Sequence, residues 1–309
     1  MGAPEEEADE DQGVEERISE ALKIKPVSHF GDIWVCGPHR VMCGDSTDEQ
    51  TISKLCSHAD LLLTDPPYGI NVVSHKDGGK VGGDKSVSFG KVVGAGMETL
   101  GFGTVIGKGM GKVSARKYLA VKDDDSTETA RKACLIARAI TDDQIIFGGN
   151  YFTDFLPPSR CWLVWDKKNG ESVFADCELA WTSYKTSVRK YEWLWNGLAR
   201  QGDRTDEGLT RIHPTQKPVG LIAEILEDHT AEGQTVLDLF GGSGSTLIAC
   251  EKIGRVCCLM EYERAYVDLI VRRWQDYSGK RAFRESDGRF FDDVKNEEGD
   301  ETTADSDRP

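Results

Sequence analysis

The chain has 309 residues, of which 39% are hydrophobic and 29% are charged, enough for one large or two small folded domains. Its net charge of −15 lies in its ends: residues 1–20 carry nine acids and one base, and residues 285–309 carry ten acids and three bases. The part between them is neutral, so the charge does not exclude a nucleic-acid partner. We expect residues 1–25 and 285–309 to be disordered acidic tails.

Two further classes are disfavoured by the composition. No apolar stretch reaches the roughly 18 residues of a membrane span, and the acidic start is unlike a secretory signal. Nine cysteines are scattered without any C-x-x-C pair, which predicts neither a zinc site nor a disulfide framework. We expect reduced cysteines in the core.

The first elements are a hairpin, a short helix and a buried strand. The apolar runs at residues 32–36 and 40–44 flank Gly37-Pro38 and predict the hairpin. A helix is predicted over 48–57. The run "LLLTDPPYGI" then predicts a buried strand that two prolines end, because proline has no backbone N–H for a sheet. An acidic residue, Asp65, thus stands where a strand leaves the sheet, the edge at which open α/β sheets bind ligands.

Residues 76–117 differ in character from the rest of the chain. They contain twelve of the 33 glycines and eight Lys or Arg against three acids, without a helical period. A loop of this length in a compact domain is either functional or disordered. We therefore treat 76–117 as a basic, glycine-rich insert.

The remaining elements alternate between strand and helix. Helices are predicted over 126–140, 218–230, 245–254 and 264–279, and strands over 144–149, 161–167, 177–184, 234–240 and 255–261. The polar, basic and aromatic stretch 189–213 is predicted to be mostly irregular. This alternation predicts an α/β fold with a parallel sheet.

A glycine turn, "VLDLFGGSGST", joins one of these strands to a helix. Glycines let the backbone approach a ligand closely, and the helix start offers free N–H groups. A phosphate-binding loop would need a lysine that is absent here, and a purely structural turn is the other alternative. Glu261 ends the next strand, about 20 residues on, where such folds bind ribose hydroxyls. The pair predicts a cofactor that carries adenosine.

Three motifs together resemble a known family. "TDPPYG", "HPTQKP" and "DLFGGSGST", in this order, are similar to the catalytic, preceding and cofactor motifs of S-adenosylmethionine-dependent DNA amino-methyltransferases of the circularly permuted beta group. The resemblance covers about residues 30–275. It implies a Rossmann-like class I methyltransferase fold, with a mostly parallel sheet and helices on both faces, over residues 26–284.

The resemblance also assigns candidate site residues. The catalytic candidates are Asp65, Pro66, Pro67 and Tyr68. The cofactor candidates are Asp45, Asp65, Asp238, Phe240, Gly241, Gly242, Ser243, Gly244, Glu261, His213, Thr215 and Lys217. The target-recognition segment is expected at 183–212, and its candidate DNA-binding residues are Lys185, Arg189, Lys190, Arg200, Arg204 and Arg211.

The implied activity is methyl transfer from S-adenosylmethionine to the exocyclic N6 of adenine in DNA after base flipping. Asp65 and the Pro66 carbonyl would accept hydrogens from the amine, and Tyr68 would stack on the flipped base. A cytosine-N4 enzyme and a catalytically idle DNA-binding subunit are the alternatives; motif order argues against relatives that methylate RNA or a protein glutamine. The expected partner is DNA, with a homodimer and a cognate restriction endonuclease left open, in a cytoplasmic protein of bacterial or phage origin.

Overall fold

The computed structural model describes residues 25–70, 125–168, 175–196, 199–200 and 216–294, with four short strands between residues 73 and 107. The strands are β1 (Ile33–Cys36), β2 (His39–Cys43), β3 (Ala59–Thr64), β4 (Val73–Ser74), β5 (Lys80–Val81), β6 (Met97–Thr99), β7 (Val105–Gly107), β8 (Thr141–Phe147), β9 (Trp162–Asp166), β10 (Cys177–Thr182), β11 (Arg189–Glu192), β12 (Trp195–Asn196), β13 (Ala199–Arg200), β14 (Thr235–Asp238), β15 (Val256–Glu261) and β16 (Phe283–Arg284). The α-helices are α1 (Glu49–Leu55), α2 (Glu128–Ala137), α3 (Val219–His229), α4 (Ser245–Ile253) and α5 (Arg264–Ser278), and Gly149–Tyr151 form a 3-10 turn.

The chain divides into two compact units. One unit joins Met1–Pro66 to Arg131–Pro309, and the other is Pro67–Ala130. The second unit contains two antiparallel strand pairs, β4 with β5 and β6 with β7. The predicted insert 76–117 falls within the range of this unit, and most of it lies outside the described residues.

The first unit is built on a ten-stranded sheet in the order β11-β9-β10-β8-β3-β14-β15-β2-β1-β16. Its centre, from β8 to β2, is entirely parallel. Antiparallel neighbours flank this centre, with β10 beside β8 and β1 beside β2. The chain moves outward in opposite directions from β3 to β8 and from β14 to β15. The strand order therefore reverses between β3 and β14, the position where doubly wound sheets bind ligands.

Helices cover both faces of this sheet. Leu61 and Leu63 of β3 belong to one buried cluster that also contains the apolar residues of α3, α4 and α5. Leu62 is fully buried outside that cluster, as are Ile52 and Leu55 of α1. Successive strand residues point to opposite faces, so the two sets mark two packed layers. The predicted Rossmann-like fold, with helices on both faces of a mostly parallel sheet, is confirmed.

Most predicted elements are found within a few residues of their expected bounds, and two predictions are wrong. The stretch expected to be irregular contains β11, which pairs in parallel with β9. Residues 285–294, assigned to the acidic tail, belong to the fold, because Phe291 and Val294 are buried and the Phe291 ring packs edge-on against Trp34 at 5.0 Å. The tails at 1–24 and 295–309 lie outside the described residues.

Two expectations from composition can be compared with the described part of the chain. All nine cysteines lie within it; none is disulfide-bonded, and all except Cys177 are buried, as predicted. None of the helices in the described ranges combines the length and the apolar character that a membrane span needs.

Candidate active site

The carboxyl ends of β3 and β14 meet where the strand order reverses. Asp65 follows the last residue of β3, and the consecutive prolines end the strand because they have no N–H to donate. The hydroxyl of Thr64 donates to Asp238 Oδ1 at 2.9 Å, which joins the two strand ends. The sheet thus places the predicted catalytic carboxylate beside the start of the glycine turn.

Asp238 holds this edge together from inside. Its carboxylate is buried and also accepts hydrogen bonds from the Thr246 hydroxyl at 2.7 Å and from Phe240 N at 3.2 Å. Burial raises its pKa from the ordinary 3.8 to about 6. These contacts join β3, β14 and α4, so they give Asp238 a framework role; a direct contact with a cofactor stays a prediction.

The glycine turn packs closely against residues of β15. A Cβ on Gly241 would stand 2.3 Å from Leu259 Cδ2, so only glycine fits there without movement. Gly244 has φ +79° and precedes α4, and no described side chain caps that helix start. Arg273 of α5 donates to the Ser243 carbonyl at 2.9 Å and holds the turn from the other side. The backbone N–H groups that begin α4 are thus presented at this edge.

Glu261 connects the turn to the end of β15. Its Oε2 accepts a hydrogen bond from Gly242 N at 2.8 Å, and burial raises its pKa from 4.5 to about 7. Gly44 N donates to the Glu261 carbonyl at 3.0 Å, so β2 ends beside it. Asp45 follows directly and accepts from Thr47 N at 2.9 Å. The two predicted cofactor carboxylates therefore lie at the carboxyl ends of two adjacent parallel strands.

A buried lysine stands on the opposite side of the strand reversal. The Nζ atom of Lys217 forms an ion pair with Asp65 Oδ2 and lies 3.2 Å from Oε2 of Glu178. The second oxygen of Glu178 is 2.6 Å from Lys167 Nζ. Burial opposes charge on Glu178, but the two lysines outweigh it and lower its pKa. Sequence reasoning placed Lys217 along the cofactor pocket and missed Lys167, which follows β9, and Glu178, which lies in β10.

The remaining candidates are placed unequally. Pro66 is buried beside Asp65 in the first unit, while Pro67 and Tyr68 begin the second unit. Lys190 forms ion pairs with Glu192 and, at 3.4 Å, with Asp166.

Eight other candidates complete the set. Phe240 is half-buried within the turn. Lys185 and Arg189 are exposed, Arg200 lies in β13, and His213, Thr215, Arg204 and Arg211 lie outside the described residues. Their roles in binding stay predictions.

The arrangement combines two kinds of polar groups. Glu261 and Asp45 offer carboxylate oxygens that can accept hydrogen bonds from hydroxyl groups, and the start of α4 offers N–H donors. Asp65, which follows β3 on the other side of β14 from them, is a charged acceptor that can hold an amine. An adenosine-bearing cofactor and an amine substrate fit this set of donors and acceptors.

Comparisons with known proteins agree with this chemistry. Residues 151–272 match the model of the family N6_N4_Mtase, described as DNA methylase. The chain is 39% identical over 64 residues to the type II methyltransferase M2.MboI of Moraxella bovis, a stretch that covers 21% of this chain and 23% of that protein. It is 38% identical over 61 residues to the type II methyltransferase M2.DpnII of Streptococcus pneumoniae, covering 20% of this chain and 23% of that protein. The chain thus spans under a quarter of the length of the curated relatives it matches.

Solved structures give more remote similarities. The M1.HpyAVI–SAM complex aligns with a TM-score of 0.42 and 19% identity, covering 75% of this chain and 98% of that one. PvuII DNA methyltransferase, which is cytosine-N4-specific, aligns with a TM-score of 0.45 and 12% identity, covering 83% of this chain and 96% of that one. The family model takes in β9–β11, α3, the glycine turn and Glu261. The similarity to the DNA methylase family therefore covers residues 151–272 of this chain.

Proposed function

We propose that the protein transfers the methyl group of S-adenosylmethionine to the exocyclic N6 of adenine in DNA. The observation that carries the proposal is the position of Asp65, at the end of β3 beside the glycine turn that follows β14. A carboxylate at this edge stands next to the groups that can bind an adenosine cofactor. The match of residues 151–272 to the DNA methylase family supports the same activity.

The protein's contribution is to position the target amine. S-adenosylmethionine, when bound, supplies an electrophilic methyl group on a sulfonium. The adenine amine is a weak nucleophile because its lone pair is delocalised into the ring. Asp65 and the Pro66 carbonyl would accept hydrogen bonds from the two N–H groups of the amine and orient its lone pair. Tyr68 would stack on the flipped base.

The cofactor would be held by the other half of the edge. Glu261, and Asp45 beside it, would accept hydrogen bonds from the ribose and adenine groups. The N–H groups at the start of α4 and the close approach of Gly241 would accommodate the rest of the molecule. A homodimer, a cognate restriction endonuclease and a cytoplasmic location stay predictions of the resemblance.

Cytosine N4 is the alternative target. The family model spans both target amines in its name, and one structural neighbour is cytosine-N4-specific. An aspartate at position 65 favours adenine, because the cytosine-N4 enzymes of the resembled group more often have serine there. The two targets share the same chemistry of an exocyclic amine.

The test is nucleoside mass spectrometry on DNA incubated with the protein and S-adenosylmethionine. We expect N6-methyladenine, and a rate about 10²- to 10³-fold lower for Asp65→Ala because the charged acceptor is lost. Asp142→Ala is the matched control, since that carboxylate is exposed near the start of β8 and should leave the rate unchanged. Formation of N4-methylcytosine would show that cytosine, and not adenine, is the target base. An absence of methylated bases together with no cofactor binding by calorimetry would favour an idle subunit.

A further inference from the structure

Four charged side chains, those of Asp65, Lys217, Glu178 and Lys167, are connected in series by ion pairs. Lys217 Nζ pairs with Asp65 and lies 3.2 Å from Glu178 Oε2, and Glu178 Oε1 is 2.6 Å from Lys167 Nζ. Negative and positive charges alternate along this series, so the net charge of the four side chains is zero. The Lys217 ammonium also lies 5.1 Å from the centre of the ring of Phe147, the last residue of β8.

Lys217 is held through both its backbone carbonyl and its side-chain ammonium. The hydroxyl of Ser245, the first residue of α4, donates to the Lys217 carbonyl at 2.7 Å. The Lys217 side chain is 9% exposed, and although burial alone would lower its pKa, the carboxylates of Asp65 and Glu178 raise it. The lysine is therefore a charged group with little freedom to move, tied to the residue that follows the glycine turn.

A cation in this position acts on the Asp65 carboxylate in two ways. It favours the ionised form, because an opposite charge within a few ångströms stabilises charge. It also selects one orientation of the carboxylate, which has acceptor capacity at both oxygens. A charged acceptor that is already oriented needs no reorganisation when the amine arrives.

We propose that Lys217, anchored by Glu178, is the positioning residue for Asp65 in methyl transfer. This inference rests on the proposed function. Lys217 does not contact the reacting atoms in this scheme; it acts through Asp65, and Glu178 acts through Lys217. Neither Glu178 nor Lys167 belongs to the three sequence motifs, so their role follows from the ion pairs alone.

The test is a double-mutant cycle with Glu178→Gln and Lys217→Met. Initial rates of base methylation are measured by mass spectrometry at saturating S-adenosylmethionine, on DNA from a methylation-deficient host. We expect Lys217→Met to lower the rate about 30-fold or more and Glu178→Gln about 3- to 10-fold, because effects through a shared partner do not add. The double variant should then be within about twofold of Lys217→Met.

Two further variants separate this role from a general effect on the fold. Lys217→Arg keeps the charge and should recover at least about tenfold of the rate lost in Lys217→Met, as charge-mediated positioning requires. Lys280→Met removes an exposed lysine that pairs with Glu251 and should leave the rate unchanged. Should Lys217→Met fail to fold, the cycle is run with Lys217→Gln, which also removes the charge.

Cofactor affinity provides a readout that is independent of the reaction. We expect the Kd of S-adenosylmethionine, measured by calorimetry, to change less than about threefold in Lys217→Met, since Lys217 acts on Asp65 and not on the cofactor in this scheme. A Kd raised more than tenfold with an unchanged rate at saturation would make Lys217 a cofactor ligand and overturn the inference. Rate losses that multiply in the double variant would also overturn it, whereas a wild-type protein that methylates no base would overturn the proposed function itself.

Discussion

Carboxylates on the two sides of the strand reversal have opposite electrostatic settings. On the β14–β15 side, Asp238 and Glu261 accept hydrogen bonds from neutral hydroxyl and N–H donors, and burial raises the pKa of each. On the other side, Asp65 and Glu178 share a buried lysine, and the pKa of Glu178 is lowered. The type of partner therefore decides the direction in which the pKa of the carboxylate shifts. Neutral donors do not offset the effect of desolvation here, whereas an adjacent cation does.

This difference matches the two tasks proposed for the site. A carboxylate that receives hydroxyl groups from a ligand gains donors only when the ligand binds, so its charge is costly without the ligand. A carboxylate that orients an amine in every turnover benefits from a permanent cation. In the ligand-free protein, the cost of burying a charged carboxylate should therefore be offset least by neighbouring groups at Glu261 and most at Asp65.

The largest effect on stability is expected from Lys217→Met. It leaves two partly buried carboxylates close together without their cation, which should lower the free energy of unfolding by about 3 kcal/mol at neutral pH. Urea denaturation measures the change. The matched control is Lys190→Met, because Lys190 also bridges two carboxylates, Asp166 and Glu192, but in an exposed position where little stability is expected. Equal losses from the two variants would show that burial does not distinguish the two bridges.

A smaller effect is expected from pH on the cofactor side. The pKa of Glu261 is raised from 4.5 to about 7, so its contribution to stability is complete below pH 4.5 and is lost as pH rises through 7. Relative to Glu261→Gln, we expect the free energy of unfolding of the ligand-free protein to fall by about 2 kcal/mol between pH 5 and 8. His39, whose pKa is lowered by burial, works in the opposite direction and cancels in this comparison. A difference that does not change with pH would contradict the raised pKa.

The two sides also differ in how far the sequence could predict them. The glycine turn and Glu261 follow from local rules, since a strand, a glycine turn, a helix and an acid at the next strand end are close together in the chain. Asp65 was found in the same way, from a buried strand that ends in prolines. Glu178 and Lys167 were missed because their importance comes from a lysine that is distant in sequence, and only the sheet order brings them together.

The errors in the fold have the same cause. β11 has the polar sequence "RKYE", and its strand conformation depends on pairing with β9 rather than on its own residues. Residues 285–294 were judged by their charge, whereas the buried rings and aliphatic groups of Phe291 and Val294 decide their place in the fold. Tertiary packing overrides composition in both cases.

Cofactor binding should depend on pH through the same carboxylate. With a pKa of about 7, Glu261 is mostly protonated at pH 6 and mostly charged at pH 8. If the charged form accepts hydrogen bonds from the cofactor, its affinity should rise about tenfold over this range. Calorimetry with S-adenosylmethionine at both pH values measures the change, and Glu261→Gln serves as the control because titration of the cofactor's own amino group affects both proteins. An equal pH dependence in the two proteins would remove Glu261 from the binding site.

The smallest effect concerns DNA affinity and tests whether an occupied lysine is available to phosphates. Lys190 already pairs with Asp166 and Glu192, whereas Lys185 is exposed and forms no salt bridge within the described residues. A phosphate would have to displace the carboxylates from Lys190, so we expect Lys190→Met to change the Kd for DNA less than about twofold. We expect Lys185→Met to weaken DNA binding about two- to fivefold and to reduce the slope of log K against log salt concentration by about one. Fluorescence anisotropy at 50 and 200 mM salt gives both values. A larger loss from Lys190→Met would mean that its carboxylate partners release it on DNA binding, and that the contrast between paired and unpaired charges in the ligand-free protein does not extend to the DNA surface.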